Sequence, residues 1–297
     1  MNIQKALDTA SGAKLIPERL DPVLVELADK ETPLRMRFKK VPWDTNSYEW
    51  NVRSALVGAD FYNESTGFSA SNSTYARRTA SIKMLKSEGA VSNLLVSTSK
   101  SYINALQAEI ESATKNIAQK EEWAFLNGDS GVSSDQIDGL EVQITQEEDA
   151  VGNPLSLDIL DAAINQVIVA GGKPSLILLS NRDMNALNKI MRDKMSYDWK
   201  NVEQSAGTRV ANYQGIPVIG SLFAPTNKTY GTTPVSTYSV GYVLDESEIV
   251  VPMVKDVSYE EVATSTDSIA FRLKMYFALA VRAKEKQCKI TNLAKPT

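Results

Sequence analysis

Gly128-Asp129-Ser130-Gly131 spells the string that surrounds the nucleophile in one class of serine proteases. That serine needs a histidine base, and the 297-residue chain contains no histidine, so the string reads as a helix cap and turn. The same absence removes Cys-His nucleophiles and the commonest zinc and copper ligand. Gly171-Gly172-Lys173 is similar to part of a phosphate loop. That motif needs Ser or Thr after the lysine, where Pro174 stands, so an αβ turn is expected. Asp129, Asp135 and Asp138 lack EF-hand spacing. Cys288 is the only cysteine, so no intrachain disulfide can form. No cofactor and no metal site is expected. Carboxylate or lysine chemistry stays open, which leaves a His-free carboxylate enzyme as one reading.

Two other groups of residues suit contacts between molecules. Arg35, Arg37 and Lys39, with Lys40 beside them, alternate with Leu34, Met36 and Phe38. Period two predicts a half-buried strand, whose basic face could meet DNA phosphates, an acidic partner or only water. Residues 47–53 alternate again, with Tyr48, Trp50 and Val52 on one face, and a third run follows at 80–84. Between them lies a segment rich in Ser, Asn, Thr and Gly that nevertheless holds Phe61, Tyr62, Phe68 and Tyr75. Residues 47–82 are predicted to form one long two-stranded hairpin with an irregular tip. A two-stranded ribbon is marginal in water, so this one must lean on something. Trp50 and the tip aromatics are therefore candidate subunit-interface residues, the alternative being that they pack back on their own chain.

The elements that must position these residues are legible as periodic runs. Ile103, Leu106, Ile110, Ala113, Ile117 and Ala124 recur at steps of three and four, interrupted by the polar Lys120. They predict a single helix over about 99–127, roughly 40 Å long, ending at a left-handed cap on Asn127-Gly128. Before it, Asp21-Pro22 starts a short amphipathic helix that Lys30-Glu31-Thr32-Pro33 closes, within an arm over 1–33. After it comes one short alternating run, Leu140 to Ile144, and then a βαβ-like passage. Ser156 caps a helix, 176–179 is a fully apolar strand, 182–195 a helix and 216–219 a strand. Runs at 238–244, 249–254, 270–281 and 289–293 complete a strand-rich C-terminal third, and the outline is α+β.

Composition adds bounds. Hydrophobic residues make up 43%, charged residues 23%, and net charge is −4, which gives no global electrostatic case for nucleic-acid binding. No window approaches 18 consecutive apolar residues, and no secretory h-region opens the chain, so no membrane partner is expected.

The order of these pieces resembles the tailed-bacteriophage major capsid proteins of the Hong Kong ninety-seven fold. Leu15-Ile16-Pro17 and the helix after it look like the family's N-terminal arm, and 47–82 like its extended loop. The run from Glu121 to Asp129, followed by Asp138-Gly139-Leu140, resembles the end and exit of its spine helix. Leu157 to Leu160, Pro174 to Ser180 with Arg182-Asp183, and Gly215 to Ile219 look like its axial domain. The resemblance implies an arm at 1–33 and a peripheral domain at 34–46, 83–130 and 246–275. It implies the loop at 47–82 and an axial domain at 131–245 and 276–297. It further implies a homo-oligomer of pentamers and hexamers in an icosahedral shell around double-stranded DNA, touched non-specifically, with a portal and a separate scaffolding protein. The family's covalent cross-link from a loop lysine has no donor here, because no Lys stands between Lys40 and Lys83. An encapsulin-type compartment of the same fold is the rival shell.

Overall fold

Pro33 opens a helix instead of closing one. In the computed structural model, which describes residues 30–59, 61, 63, 71–99, 104–193, 202–203, 209–230, 236–263 and 266–295, α1 runs Pro33–Arg37. Its proline sits in the first turn, where a missing N–H costs nothing. The strand expected over 34–39 is thus corrected. Leu34 and Phe38 are buried four residues apart on one helical face, while Met36 between them is 78% exposed. Strand structure begins only at β1, Lys39–Pro42. The helix expected over 20–28 lies outside the described residues.

The expected hairpin forms. Strands β2 (Ser47–Ala55) and β3 (Thr74–Ser81) pair antiparallel from Ser47 opposite Ser81 to Ala55 opposite Thr74, making a two-stranded sheet among the described residues. The chain then enters β4 (Lys83–Ser92) and α2 (Asn93–Ser99). The long helix α3 spans Ala105–Asn127, about 35 Å at 1.5 Å per residue. It is shorter than expected because Asn104 caps it, its side chain accepting the N–H of Gln107. Its exit is also corrected. Gly128 is extended, with φ −61° and ψ 138°, not left-handed. Glycine is needed there for closeness: a Cβ would lie 2.3 Å from the Ile137 carbonyl oxygen and 2.7 Å from that of Ala124. The exit turn folds back so tightly that Gly139 donates its N–H to Gly128 at 2.8 Å.

Leu140 to Ile144 is likewise one helical turn, α4 (Leu140–Gln143), not a strand. It buries Leu140 and Ile144 and leaves Val142 exposed. Then follow β5 (Gln146–Asp149), α5 (Leu157–Val169), β6 (Leu176–Ser180) and α6 (Asn181–Asp193). Ser156 caps α5 as expected, accepting the N–H of Ile159. The remaining strands are β7 (Val202–Glu203), β8 (Arg209–Tyr213), β9 (Ile216–Ser221), β10 (Lys228–Thr229) and β11 (Ser236–Leu244). After them come β12 (Ile249–Val262), β13 (Ser268–Phe277), β14 (Ala280–Val281) and β15 (Cys288–Leu293).

These strands form two larger sheets. One has the order β1-β12-β13-β4, with β14 also on β12; the other runs β5-β15-β11-β6-β9-β8-β7, with β10 on β11. In the first, β13 and β4 pair from Ser268–Ser92 to Phe277–Lys83 without a register shift. Its inner residues Leu85, Phe271, Leu273 and Met275 share a core with Leu106, Ile110, Ala113 and Ile117 of α3. Its outer face carries cross-strand charge pairs: Glu260 with Lys274 at 2.5 Å and Arg272 with Glu88 at 2.6 Å.

In the second sheet, β6 is buried on both faces. Leu176 and Leu178 enter the core that holds the α3 residues, whereas Ile177 and Leu179 join a second core beneath α5 and α6. The first core therefore joins both sheets through the end of α3. Phe125 is its centre, with its ring 5.6 Å from Phe38 and 6.0 Å from Phe277. Replacing Ala113 with Pro deletes a backbone donor inside this helix and clashes with the preceding turn. Urea denaturation is expected to give a loss of about 3 kcal/mol or more. Stability equal to wild type would contradict the place of Ala113 in the helix interior.

Candidate assembly interface and its internal anchors

Three of the four basic residues at 35–40 are engaged within the chain. Arg35 Nε donates to Glu121 at 2.6 Å, and Lys40 Nζ lies 3.7 Å from the other oxygen of the same carboxylate. Arg37 holds Glu246 in a two-pronged pair at 2.6 and 2.8 Å, which raises its guanidinium pKa further. Lys39 is exposed on β1. The continuous basic strand face expected from the sequence does not form, because α1 turns Arg35 and Arg37 toward buried or half-buried carboxylates.

Sequence reasoning missed the function of Glu121 and Glu122 in this anchorage. Both are fully buried on α3. Thr32 at the start of α1 makes no side-chain capping bond. Glu122 caps the helix from across the core, accepting the Leu34 N–H at 3.0 and 3.2 Å and the Arg35 N–H at 3.1 Å. Burial raises the Glu122 pKa to about 7 against the opposing pull of these two N–H donors. Burial also raises Glu121, offset by Lys40 and Arg35. The available signal was two adjacent carboxylates, one of which had to fall on the apolar side of an otherwise regular stripe. Lys120, the visible interruption, instead lies over the Trp123 ring at 3.3 Å.

The base of the hairpin is anchored too. Trp50 Nε1 donates to the Arg282 carbonyl at 3.0 Å, and Arg78 forms a two-pronged pair with Glu285, whose pKa it lowers. Trp50 is half-buried on its own chain. Further out, described apolar side chains of the ribbon are exposed. Leu56 is 73% exposed, Tyr75 is 64% exposed with Arg53 over its ring, and Phe61 is fully exposed. Tyr62 and Phe68 lie outside the described residues.

The chemical motifs resolve as structure. Ser130 lies in the exit turn, its N–H on Asp138 at 2.9 Å. Gly171, with φ 77°, and Gly172 form the turn after α5. Cys288 is buried, and burial pushes its thiol up to about 12, far from a reactive thiolate. No group of three or more metal-ligating side chains occurs among the described residues, and no described helix is long and apolar enough to cross a membrane.

The arrangement of a long helix between two sheets, with a projecting two-stranded ribbon, is the Hong Kong ninety-seven shell fold. A chain of the holo-SrpI encapsulin complex from Synechococcus elongatus is similar with TM-score 0.75 and 12% identity, covering 99% of this chain and 98% of that one. A chain from the capsid asymmetric unit of cyanophage A-1(L) gives TM-score 0.74 and 13% identity, covering 97% and 99%. A chain from Mycobacterium phage Bobi gives 0.69 and 20%, covering 97% and 99%. At these identities the likeness establishes the α+β fold. No curated protein sequence matches the chain.

The family match reaches further. Residues 3–294 match the SU10 major capsid protein family, and the chain belongs to it. It is a phage shell protein, and encapsulin is a structural relative. The family is one of structural proteins, which implies a non-enzymatic role and sets aside the carboxylate-enzyme reading.

Glu122→Ala removes the acceptor for two buried N–H groups. It should lower stability by about 1–3 kcal/mol in chemical denaturation, whereas Glu122→Gln, which keeps a carbonyl oxygen, should cost less. Equal losses from the two variants would contradict the capping geometry.

Proposed function

We propose that this chain assembles through pentamers and hexamers into an icosahedral shell that encloses the double-stranded DNA of a tailed bacteriophage, in the cytoplasm of the host. The hairpin is the observation that carries the reading. Among the described residues its two strands bond to no third strand, and exposed apolar side chains accumulate toward its tip. Such a ribbon gains stability when a neighbouring subunit covers it. Phe61 and Tyr75, together with Tyr62 and Phe68, are the residues assigned to that contact, while Trp50 fixes the ribbon's base. The sheet containing β4 and β13, with α3, is assigned to the peripheral unit, and the sheet containing β6 and β11 to the axial unit around the symmetry axes. Scaffold and portal are separate proteins, contact with DNA is non-specific, and the chain catalyses no reaction.

The chain has no lysine from 41 to 82 and a single, buried cysteine, so the shell is held without covalent links. Expression of the full chain, alone or with its scaffold, should give capsomers or megadalton particles by light scattering and electron microscopy. Boiling in detergent and reductant should release one monomer band. A compact 32.6 kDa monomer at every concentration would contradict the assembly reading, and a ladder of covalent multimers the non-covalent one. Packaged nucleic acid favours the phage head, and a protein cargo the encapsulin-type compartment.

A further inference from the structure

The Glu121–Glu122 pair holds the segment that leads into the first sheet with more carboxylate oxygens than that segment uses. Glu122 Oε2 takes both shorter bonds, from Leu34 N–H at 3.0 Å and Arg35 N–H at 3.1 Å. Oε1 receives only the second, longer approach of Leu34 N–H, at 3.2 Å. A proton on Oε1 therefore leaves both principal bonds in place. Glu121 Oε2 is engaged by Arg35, but its Oε1 is buried without a hydrogen-bond partner, with Lys40 at 3.7 Å. Two adjacent buried carboxylates thus have one cation in hydrogen-bond contact and one oxygen left unsatisfied.

We propose that these two glutamates form a proton-operated latch, in which docking of Pro33–Phe38 onto α3 takes up a proton and undocking releases it.

The charged groups facing the pair define the balance. Arg35 and Lys40, from the docked segment, favour the ionised form of Glu121, while Asp256 of β12 opposes it. Glu122 has Glu121 as its charged neighbour, which adds to the effect of burial. Arg37 is committed to Glu246 and does not join the cluster. Leu34 and Phe38, both buried, lie on the docked segment, so undocking admits water to the pair. The Glu122 carboxyl then returns from about 7 toward its ordinary 4.5. An acid with the higher pKa in the docked state binds its proton more tightly there. Docking is therefore most favourable below the ordinary value and weakens as pH rises through about 7. The latch controls how firmly the chain preceding residue 33 is tied to the spine helix.

Amide hydrogen exchange on the full-length chain tests this, with one assembly state verified by light scattering across the pH range. Exchange is corrected for the intrinsic pH dependence of free amides. Protection of Leu34–Phe38 should fall about tenfold or more between pH ~5.5 and pH ~8, while that of β6 stays level. In Glu122→Gln, which keeps an acceptor and cannot ionise, the pH dependence of the segment's protection should be markedly smaller over this range, with Glu121 alone left to titrate. Wild-type protection that is level, or that rises with pH, overturns the proposal. A slope that survives unchanged in Glu122→Gln overturns it as well. If the variant fails to fold, the sign of the wild-type slope still decides.

Discussion

The last three turns of the spine helix are the constraint on which the rest depends. Ile117, Phe125 and Leu126 are buried in a single core to which both larger sheets contribute. Phe125 lies between Phe38, which follows α1, and Phe277, the end of β13, so one ring ties three separated parts of the sequence. Burying an aromatic ring of this size contributes a few kcal/mol, and its geometric effect is larger, because close-packed interiors transmit displacement. If this end of the helix shifts, the first sheet, the second sheet and the root of the hairpin must shift with it. A subunit that repeats around closed symmetry needs such rigidity.

Polar groups then fix the angles that apolar packing leaves loose. Asp183, fully buried, accepts from Ser180 at 2.7 Å and Ser239 at 2.5 Å and is paired with Arg182. Arg182 in turn donates to the Thr237 and Leu293 carbonyls, which ties α6 to the edges of β11 and β15. Asp245 plays a similar part at the other end of β11, accepting from the N–H groups of Lys173 and Ser247. The buried Asp183 and Asp245 carboxylates are used on backbone N–H groups or on neighbouring side chains. This distribution of charge suits a structural subunit.

Much of the fold was legible because long elements repeat their pattern. The hairpin, the stripe on α3, the Ser156 cap and the doubly buried β6 all follow from periodicity or capping chemistry. Two of the failures share one physical cause. Apolar residues at i, i+2 and i+4 fit a strand, but i and i+4 also share a helix face, and in five residues only the middle one decides. Met36 and Val142 are those middle residues, and both are exposed. Tertiary hydrogen bonds settled the first case, since Glu122 supplies a cap that local sequence does not contain. Of the candidate interface, Phe61 and Tyr75 are exposed on the single chain. The intramolecular bonds of Trp50, Arg37 and Arg35 were not legible because their partners, Arg282, Glu246 and Glu121, stand far away in sequence.

The central claim is that the ribbon of β2 and β3 reaches its full stability only against a neighbouring subunit. Amide hydrogen exchange compared between the unassembled chain and the assembled particle tests it most directly. The account predicts that protection at residues 47–57 and 71–81 rises on assembly while that of β6, buried already in the single chain, stays the same. Equal protection of the ribbon in both states would contradict it.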